Sequence, residues 1–257
     1  MLHDELREYK GYLMGRYSRE TAATYYKRLA VLFEGQPVAN TAARLDPEKV
    51  LEKLGAIKHK NHFSQSKNSF LHFCEFQGIK LSDSILAGIK ELEGKAKKKH
   101  RKLKAVDFAE VENKIKRLRN MKLKLSYQTI IATGLHVSEL AGLSPKDCAV
   151  SGNSITFSFI GKGGKNGTAA ISANDSPLLH ERLKSLIENT PVEKKVFYSA
   201  VYLQKKATEL GFTCHDLRRA FAKLEYKKCR NKAEVSEKLN HSSVRTTNIY
   251  FRSKVKV

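Results

Sequence analysis

Apolar residues recur at helical spacing through the first 80 or so positions of this 257-residue chain. In SRETAATYYKRLAVLF, running from Ser18 to Phe33, Ala22, Tyr25, Leu29 and Leu32 share one face, and Ser18 stands where an N-cap belongs. LDPEKVLEKLG places Asp46 as N-cap and Pro47 at the first helical position. SQSKNSFLHFCEFQG carries Phe70, Leu71, Phe73 and Cys74, with Gly78 to close it. Aromatics spaced this way predict a small helical core rather than a platform for stacked bases.

Residues 94–104, GKAKKKHRKLK, break the pattern, being basic and nearly free of bulky apolar side chains. They predict a linker between a helical domain (1–93) and a second domain (105–257), lying along a phosphate backbone.

The second half is mixed. VDFAEVENKIKRLR has Asp107 as N-cap and Glu110 three residues on, a capping-box spacing. KLKLSYQTIIATG reads as a buried helix ending at Gly134. Alternation then replaces helical spacing: strands near Ser154–Ile160 and Thr168–Ser172 flank a turn rich in glycine and lysine. Helices resume at Ser176-Pro177, near Ser199 and at Thr213. The predicted fold is mainly α with a small β-sheet, in two domains.

Charge narrows the function. Lys and Arg number 48 against 26 Asp and Glu, a formal net charge of +22. Residues 1–100 hold 18 basic and 12 acidic side chains, and residues 101–257 hold 30 and 14. Both halves are basic, which points to a polyanionic partner, most simply nucleic acid. No apolar run reaches membrane-span length, and the N-terminal residues do not form a signal peptide. Cys74, Cys148, Cys214 and Cys229 are too scattered for a zinc cluster and fit reduced thiols in a cytosolic protein.

Four short stretches carry chemistry. TGLHVSEL puts His136 in a turn between two helices. GKGGK occupies the predicted hairpin turn. TCHDLRRAFA has Thr213 as N-cap, His215 in the first turn and Arg218 close to the same side, a place suited to an anion. LNHSSVRTTNIYF sets His241 nine residues before Tyr250, whose hydroxyl is a potential nucleophile.

In that order and at those distances, the four stretches resemble the tyrosine recombinase (phage integrase) family. Its usual forms are close to T-G-L-R-x-S-E-L, G-K-G-x-K, H-x-L-R-R/H and L-G-H-S-x-x-x-T-T-x-x-Y. The first half looks like the family's SAM-like core-binding domain, and the second like its mixed α/β catalytic domain.

The resemblance implies a two-domain clamp on double-stranded DNA and strand exchange without cofactor or metal. Tyr250 would attack a backbone phosphate to give a 3′-phosphotyrosyl link. Arg218 would hold the non-bridging oxygens, His215 would accept a proton near the nucleophile, and His241 would donate to the phosphate. Lys162 matches the lysine that protonates the departing 5′-oxygen, with Lys165 as fallback. Glu139 resembles the acidic residue behind the first arginine. Lys97, Lys98, Lys99, Arg101, Lys102, Lys104, Lys165 and Arg219 are the expected DNA contacts. A homotetramer on two DNA sites, a monomer without DNA, accessory DNA-bending proteins, no membrane partner, and a nucleoid-associated place in the cytoplasm, with a prokaryotic or viral origin, are also implied.

One position departs. His136 occupies the place of the family's first phosphate-clamping arginine. Histidine is shorter, has fewer donors and is only partly charged near neutrality. Loss of one preorganised donor commonly costs about 10²–10³ in rate. The chain therefore reads as a recombinase with impaired or altered activity. The alternatives are a catalytically inactive, sequence-specific DNA-binding protein, a histidine acquired by this chain alone, and a metal held by His136, His215 and His241. After Tyr250, SKVKV has a weak alternation that fits a strand added to a partner.

Overall fold

The computed structural model describes residues 4–34, 46–96, 105–161, 164–241 and 243–257. The assignments to Lys97, Lys98, Lys99, Arg101, Lys102, Lys104 and Lys162 lie outside the described residues. The chain divides into two compact units, Met1–Arg101 and Lys102–Val257.

The first unit is helical. Helices α1 (Asp4–Arg16), α2 (Arg19–Phe33), α3 (Pro47–Gly55), α4 (Lys60–Phe76) and α5 (Asp83–Lys95) bury Tyr9, Leu13, Leu29, Leu54, Phe63, Phe70 and Phe73. Local chemistry sets the ends. The Ser18 hydroxyl accepts the Thr21 N–H, and Asp46 Oδ1 accepts from Glu48 and Lys49 at 3.1 and 3.2 Å. Gly78 takes a left-handed φ of +66° after α4. Polar groups inside this core are matched: Tyr9 Oη donates to Ser69 O at 2.8 Å, and Ser69 Oγ to Tyr25 O at 2.5 Å. Helix α5 continues one residue past Gly94, the start of the expected linker.

The second unit packs helices around a small sheet. Its elements are β1 (Val106–Asp107), α6 (Phe108–Lys116), α7 (Met121–Thr133), α8 (Val137–Gly142), β2 (Cys148–Ser151), β3 (Ser154–Ile160), β4 (Asn166–Ser172), α9 (Pro177–Glu188), α10 (Ala200–Glu209), α11 (Cys214–Cys229), α12 (Lys232–Lys238), α13 (Val244–Phe251) and β5 (Val255–Lys256). Strands β2, β3 and β4 form an antiparallel meander with Phe157 opposite Cys148 on one side and Ala169 on the other. Tyr127, Ile130, Leu140, Ile155, Phe157, Leu203 and Leu217 are its innermost residues. The buried Tyr127 hydroxyl donates to Leu203 O at 2.9 Å.

Three sequence expectations are corrected. The sheet has a strand, β2, that was not anticipated, because four residues beside a glycine turn leave too little alternation to read. Glu110 does not complete a capping box: Asp107 caps α6 through Ala109 and Glu110 N–H, while the Glu110 carboxylate pairs with Lys114 at 2.7 Å. The C-terminal residues are not spare for a partner. Val255 and Lys256 pair in parallel with Val106 and Asp107 of the same chain, and Val255 is buried. Lys223 Nζ donates to Ser253 O and Val255 O at 2.8 and 2.7 Å, holding the segment against α11.

Candidate active site

The polar centre of the second unit is assembled at helix ends. Helix α7 stops because Gly134 adopts a left-handed φ of +69°. A Cβ there would lie 2.3 Å from the Phe221 ring, so the turn needs glycine for space as well as for φ. The turn delivers His136 to the N-cap of α8. Its Nδ1 lies 2.8 Å from Ser138 Oγ and accepts the Ser138 N–H at 3.4 Å. Glu139 Oε2 accepts the His136 N–H at 2.6 Å, completing a capping box.

Helix α11 begins with a second capping box. Thr213 Oγ1 accepts the Asp216 N–H, and Asp216 Oδ2 accepts from Thr213 N–H at 3.0 Å and Thr213 Oγ1 at 2.7 Å. The other oxygen of Asp216 receives Arg219 Nη1 at 2.9 Å. Arg219, expected on DNA, is therefore turned inward, its side chain only 15% exposed. Lys165 is exposed at the hairpin.

Arg218 lies at the junction of three elements, its side chain 7% exposed. Nη1 donates to Gly134 O and sits 3.5 Å from Glu139 Oε2, and Nη2 donates to Leu239 O at 2.7 Å. The α7 turn, the α8 cap and the end of α12 thus meet on one guanidinium, which suits its planar fork. Glu139 touches both positions: its ion pair is with Arg218, and it reaches residue 136 through the backbone N–H.

Tyr250, 6% exposed on α13, stands between two imidazoles. Its ring centroid is 5.1 Å from that of His215 and 5.0 Å from that of His241, with interplanar angles of 89° and 80°. His136 extends the series, 6.5 Å from His215. The rings run as a file, and among the described residues no group of three or more His, Cys, Asp or Glu is placed to hold a metal ion. His241 Nδ1 is 2.8 Å from Thr247 Oγ1, one turn before Tyr250. With that hydroxyl donating, Nε2 carries the ring proton.

Both flanking imidazoles are held neutral. Burial, then the charges of Arg219, His136 and Arg218, lower His215 to about 4, against the pull of Asp216. Burial and then Arg218 lower His241 to about 4. A neutral imidazole can accept a proton, and one with Nε2–H can donate a hydrogen bond to an anion. Leu135, His136, Thr213, His215 and Arg218 line one open pocket. The structure thus brings together His136, Glu139, His215, Arg218, His241 and Tyr250. Sequence reading did not find Thr247 or the carbonyls of Gly134 and Leu239; only Thr247 had a signal, its place one turn before the tyrosine.

Comparison with known proteins gives a consistent picture. The family model described as "Phage integrase family" matches residues 104–256. A curated relative, tyrosine recombinase XerA of Saccharolobus solfataricus, is 28% identical over 163 residues, covering 60% of this chain and 54% of the relative. The chain thus spans about half the length of that relative. Among solved structures, a lambda integrase (75–356) dimer bound to a COC' core site aligns with a TM-score of 0.68 at 19% identity, covering 97% of this chain and 94% of that one. XerH site-specific recombinase bound to difH substrate aligns at 0.60 and 19% identity, covering 89% and 74%. At these identities the likeness to solved structures is one of fold.

Proposed function

Because the chain belongs to the phage integrase family, the tyrosine recombinases, we propose that it is a site-specific recombinase that cleaves and rejoins duplex DNA through a 3′-phosphotyrosyl link on Tyr250. The observation that carries this reading is the placement of Tyr250 edge-on between His215 and His241, with Arg218 at the centre of the same helix ends. The Tyr250 oxygen attacks phosphorus and the bond to the 5′-oxygen breaks. Neutral His215 accepts the tyrosine proton, aided by the scissile phosphate, whose negative charge raises imidazole basicity. Arg218 stabilises charge on the non-bridging oxygens, and His241 donates from Nε2. Lys162 protonates the leaving 5′-oxygen, with Lys165 in reserve. The 5′-hydroxyl of the partner strand then attacks the phosphotyrosine, so bond energy is conserved and no nucleotide is consumed.

His136 makes the activity altered. Its imidazole is shorter than an arginine, has fewer donors, and has its Nδ1 engaged at the α8 cap, where an arginine would offer a planar fork. The chain cleaves slowly rather than failing to fold. The basic helical first unit and the basic residues 94–104 hold the duplex. The working assembly is a homotetramer on two DNA sites, formed from DNA-free monomers with accessory bending proteins, acting on nucleoid DNA in the cytoplasm. A second reading, a sequence-specific DNA-binding protein that no longer cuts, is favoured by one observation: both terminal nitrogens of Arg218 already serve backbone carbonyls. Nicked suicide duplexes separate the two. A covalent protein–DNA adduct supports the recombinase, and tight binding without an adduct supports the binding protein.

A further inference from the structure

Arg219 follows Arg218 on α11 and is expected from the sequence on DNA, yet its side chain is only 15% exposed. Nη1 reaches back to Asp216 Oδ1 at 2.9 Å, while Nε is buried with no hydrogen-bond partner among the described residues. A buried ion pair returns little stability once its desolvation is counted, and an unpaired buried N–H subtracts from it. Stability alone does not explain a guanidinium kept in this place.

Its neighbours supply a reason. Arg219 lies four residues after His215, one turn of α11, so the two side chains leave the helix on the same side. Asp216 is itself fixed, its other oxygen accepting from Thr213 N–H at 3.0 Å and Thr213 Oγ1 at 2.7 Å. The capping box thus pins the carboxylate, and the carboxylate holds the guanidinium in the helix turns that carry the imidazole. Asp216, Arg218 and Arg219 bear on His215 from its own helix, His136 from the cap of α8, and the Tyr250 ring edge-on from α13. After burial, Arg219 is the largest influence keeping a proton off the His215 ring, ahead of His136 and Arg218, and Asp216 opposes it.

We propose that Arg219 is a positioning residue, held one turn from His215 by Asp216 so that its buried charge keeps that imidazole unprotonated and able to take the nucleophile's proton. This rests on the recombinase reading above, in which His215 accepts the proton of Tyr250. In this role Arg219 acts through His215 and not on the phosphate. A scissile phosphate brings negative charge that offsets the guanidinium, so His215 gains basicity when the substrate is seated.

The test compares the full chain with Arg219→Gln, which removes the charge, and Arg219→Lys, which keeps it. In the DNA-free protein the His215 imidazole is followed against pH by NMR. Arg219→Gln is expected to raise its proton affinity about tenfold, moving the midpoint up from about 4, and Arg219→Lys to stay within about threefold of the parent. Single-turnover cleavage of nicked suicide duplexes is then measured against pH. The acid limb of the Arg219→Gln profile is expected to move to higher pH by about tenfold in proton concentration, with the rate above that limb within about threefold of the parent. Equal slowing at every pH, an unmoved acid limb, an unmoved His215 midpoint, or Arg219→Lys behaving as Arg219→Gln does overturns the proposal. Weaker DNA binding with a salt slope reduced by about one, and neither midpoint nor limb moved, overturns it as well, because Arg219 is then a phosphate contact. Arg219→Met, which fills the space without charge, replaces Arg219→Gln if that variant does not fold, and the same outcomes decide. If no chain forms an adduct, the recombinase reading fails and the midpoint decides alone: a rise in Arg219→Gln upholds the hold on His215, and no rise overturns it.

Discussion

The ring of His215 meets that of Tyr250 edge-on, 5.1 Å between centroids, although the two residues lie on different helices 35 positions apart. The contact exists because the α11 capping box fixes where His215 starts and Thr247 bonds His241 one turn before Tyr250. A neutral imidazole is thereby placed beside a candidate nucleophile by one capping box and one side-chain hydrogen bond.

His136→Arg is expected to raise single-turnover cleavage by about 10²-fold, the usual worth of one transition-state donor, with little change in DNA affinity. It also removes the imidazole cap of α8, at a cost near 1 kcal/mol in chemical denaturation. Equal cleavage rates in parent and variant would mean that the missing fork does not limit the reaction.

Arg218→Lys keeps the charge and loses the fork that joins Gly134 O, Leu239 O and Glu139. Loss of stability of about 2–4 kcal/mol is expected in urea unfolding, because buried carbonyls and a carboxylate lose their donor. Cleavage is expected to fall as well. A variant as stable as the parent would show that the guanidinium is not the structural hub described.

Burial lowers both His215 and His241 from the ordinary 6.5 to about 4. Between those values the unfolded chain binds protons that the folded chain does not. Stability is therefore complete above about pH 6.5 and declines as pH falls toward 4. Imidazole signals followed by NMR in the DNA-free protein are expected to titrate near 4 at these two positions. Midpoints near 6.5 would contradict the neutral, buried state.

Lys223→Ala removes two charge-assisted hydrogen bonds to the carbonyls of Ser253 and Val255. It is expected to cost about 1–3 kcal/mol and to raise amide exchange in β5. Unchanged exchange at Val255 would show that the lysine does not hold the strand.

Much of this arrangement was legible in the residues. Ser18, Asp46 and Thr213 mark helix starts through the side-chain oxygens that accept the first N–H groups, and Gly134 marks a stop through its left-handed φ. These signals are local, so sequence displays them. The strand β2 was not legible, since a four-residue strand has too few positions to declare a period. The parallel pairing of Val255 with Val106 was not legible either, because it joins opposite ends of one unit. The same holds at the site. Motifs identified His215, Arg218, His241 and Tyr250 as a set, but not that Glu139 would pair with Arg218 or that Arg219 would turn to Asp216. The Glu139–Arg218 contact depends on which side of α11 faces α8, a tertiary fact, whereas the Arg219–Asp216 pair is an i,i+3 contact within α11 that spacing alone allows.

The most direct measurement is a denaturing gel of the chain incubated with nicked suicide duplexes taken from DNA flanking its gene, followed by peptide mapping of any adduct. A covalent adduct on Tyr250 that disappears in Tyr250→Phe, while that variant still binds the duplex, is the predicted result. An adduct that survives in Tyr250→Phe, or specific binding with no adduct from the parent or from His136→Arg, would contradict the assignment of Tyr250 as the nucleophile of a working recombinase.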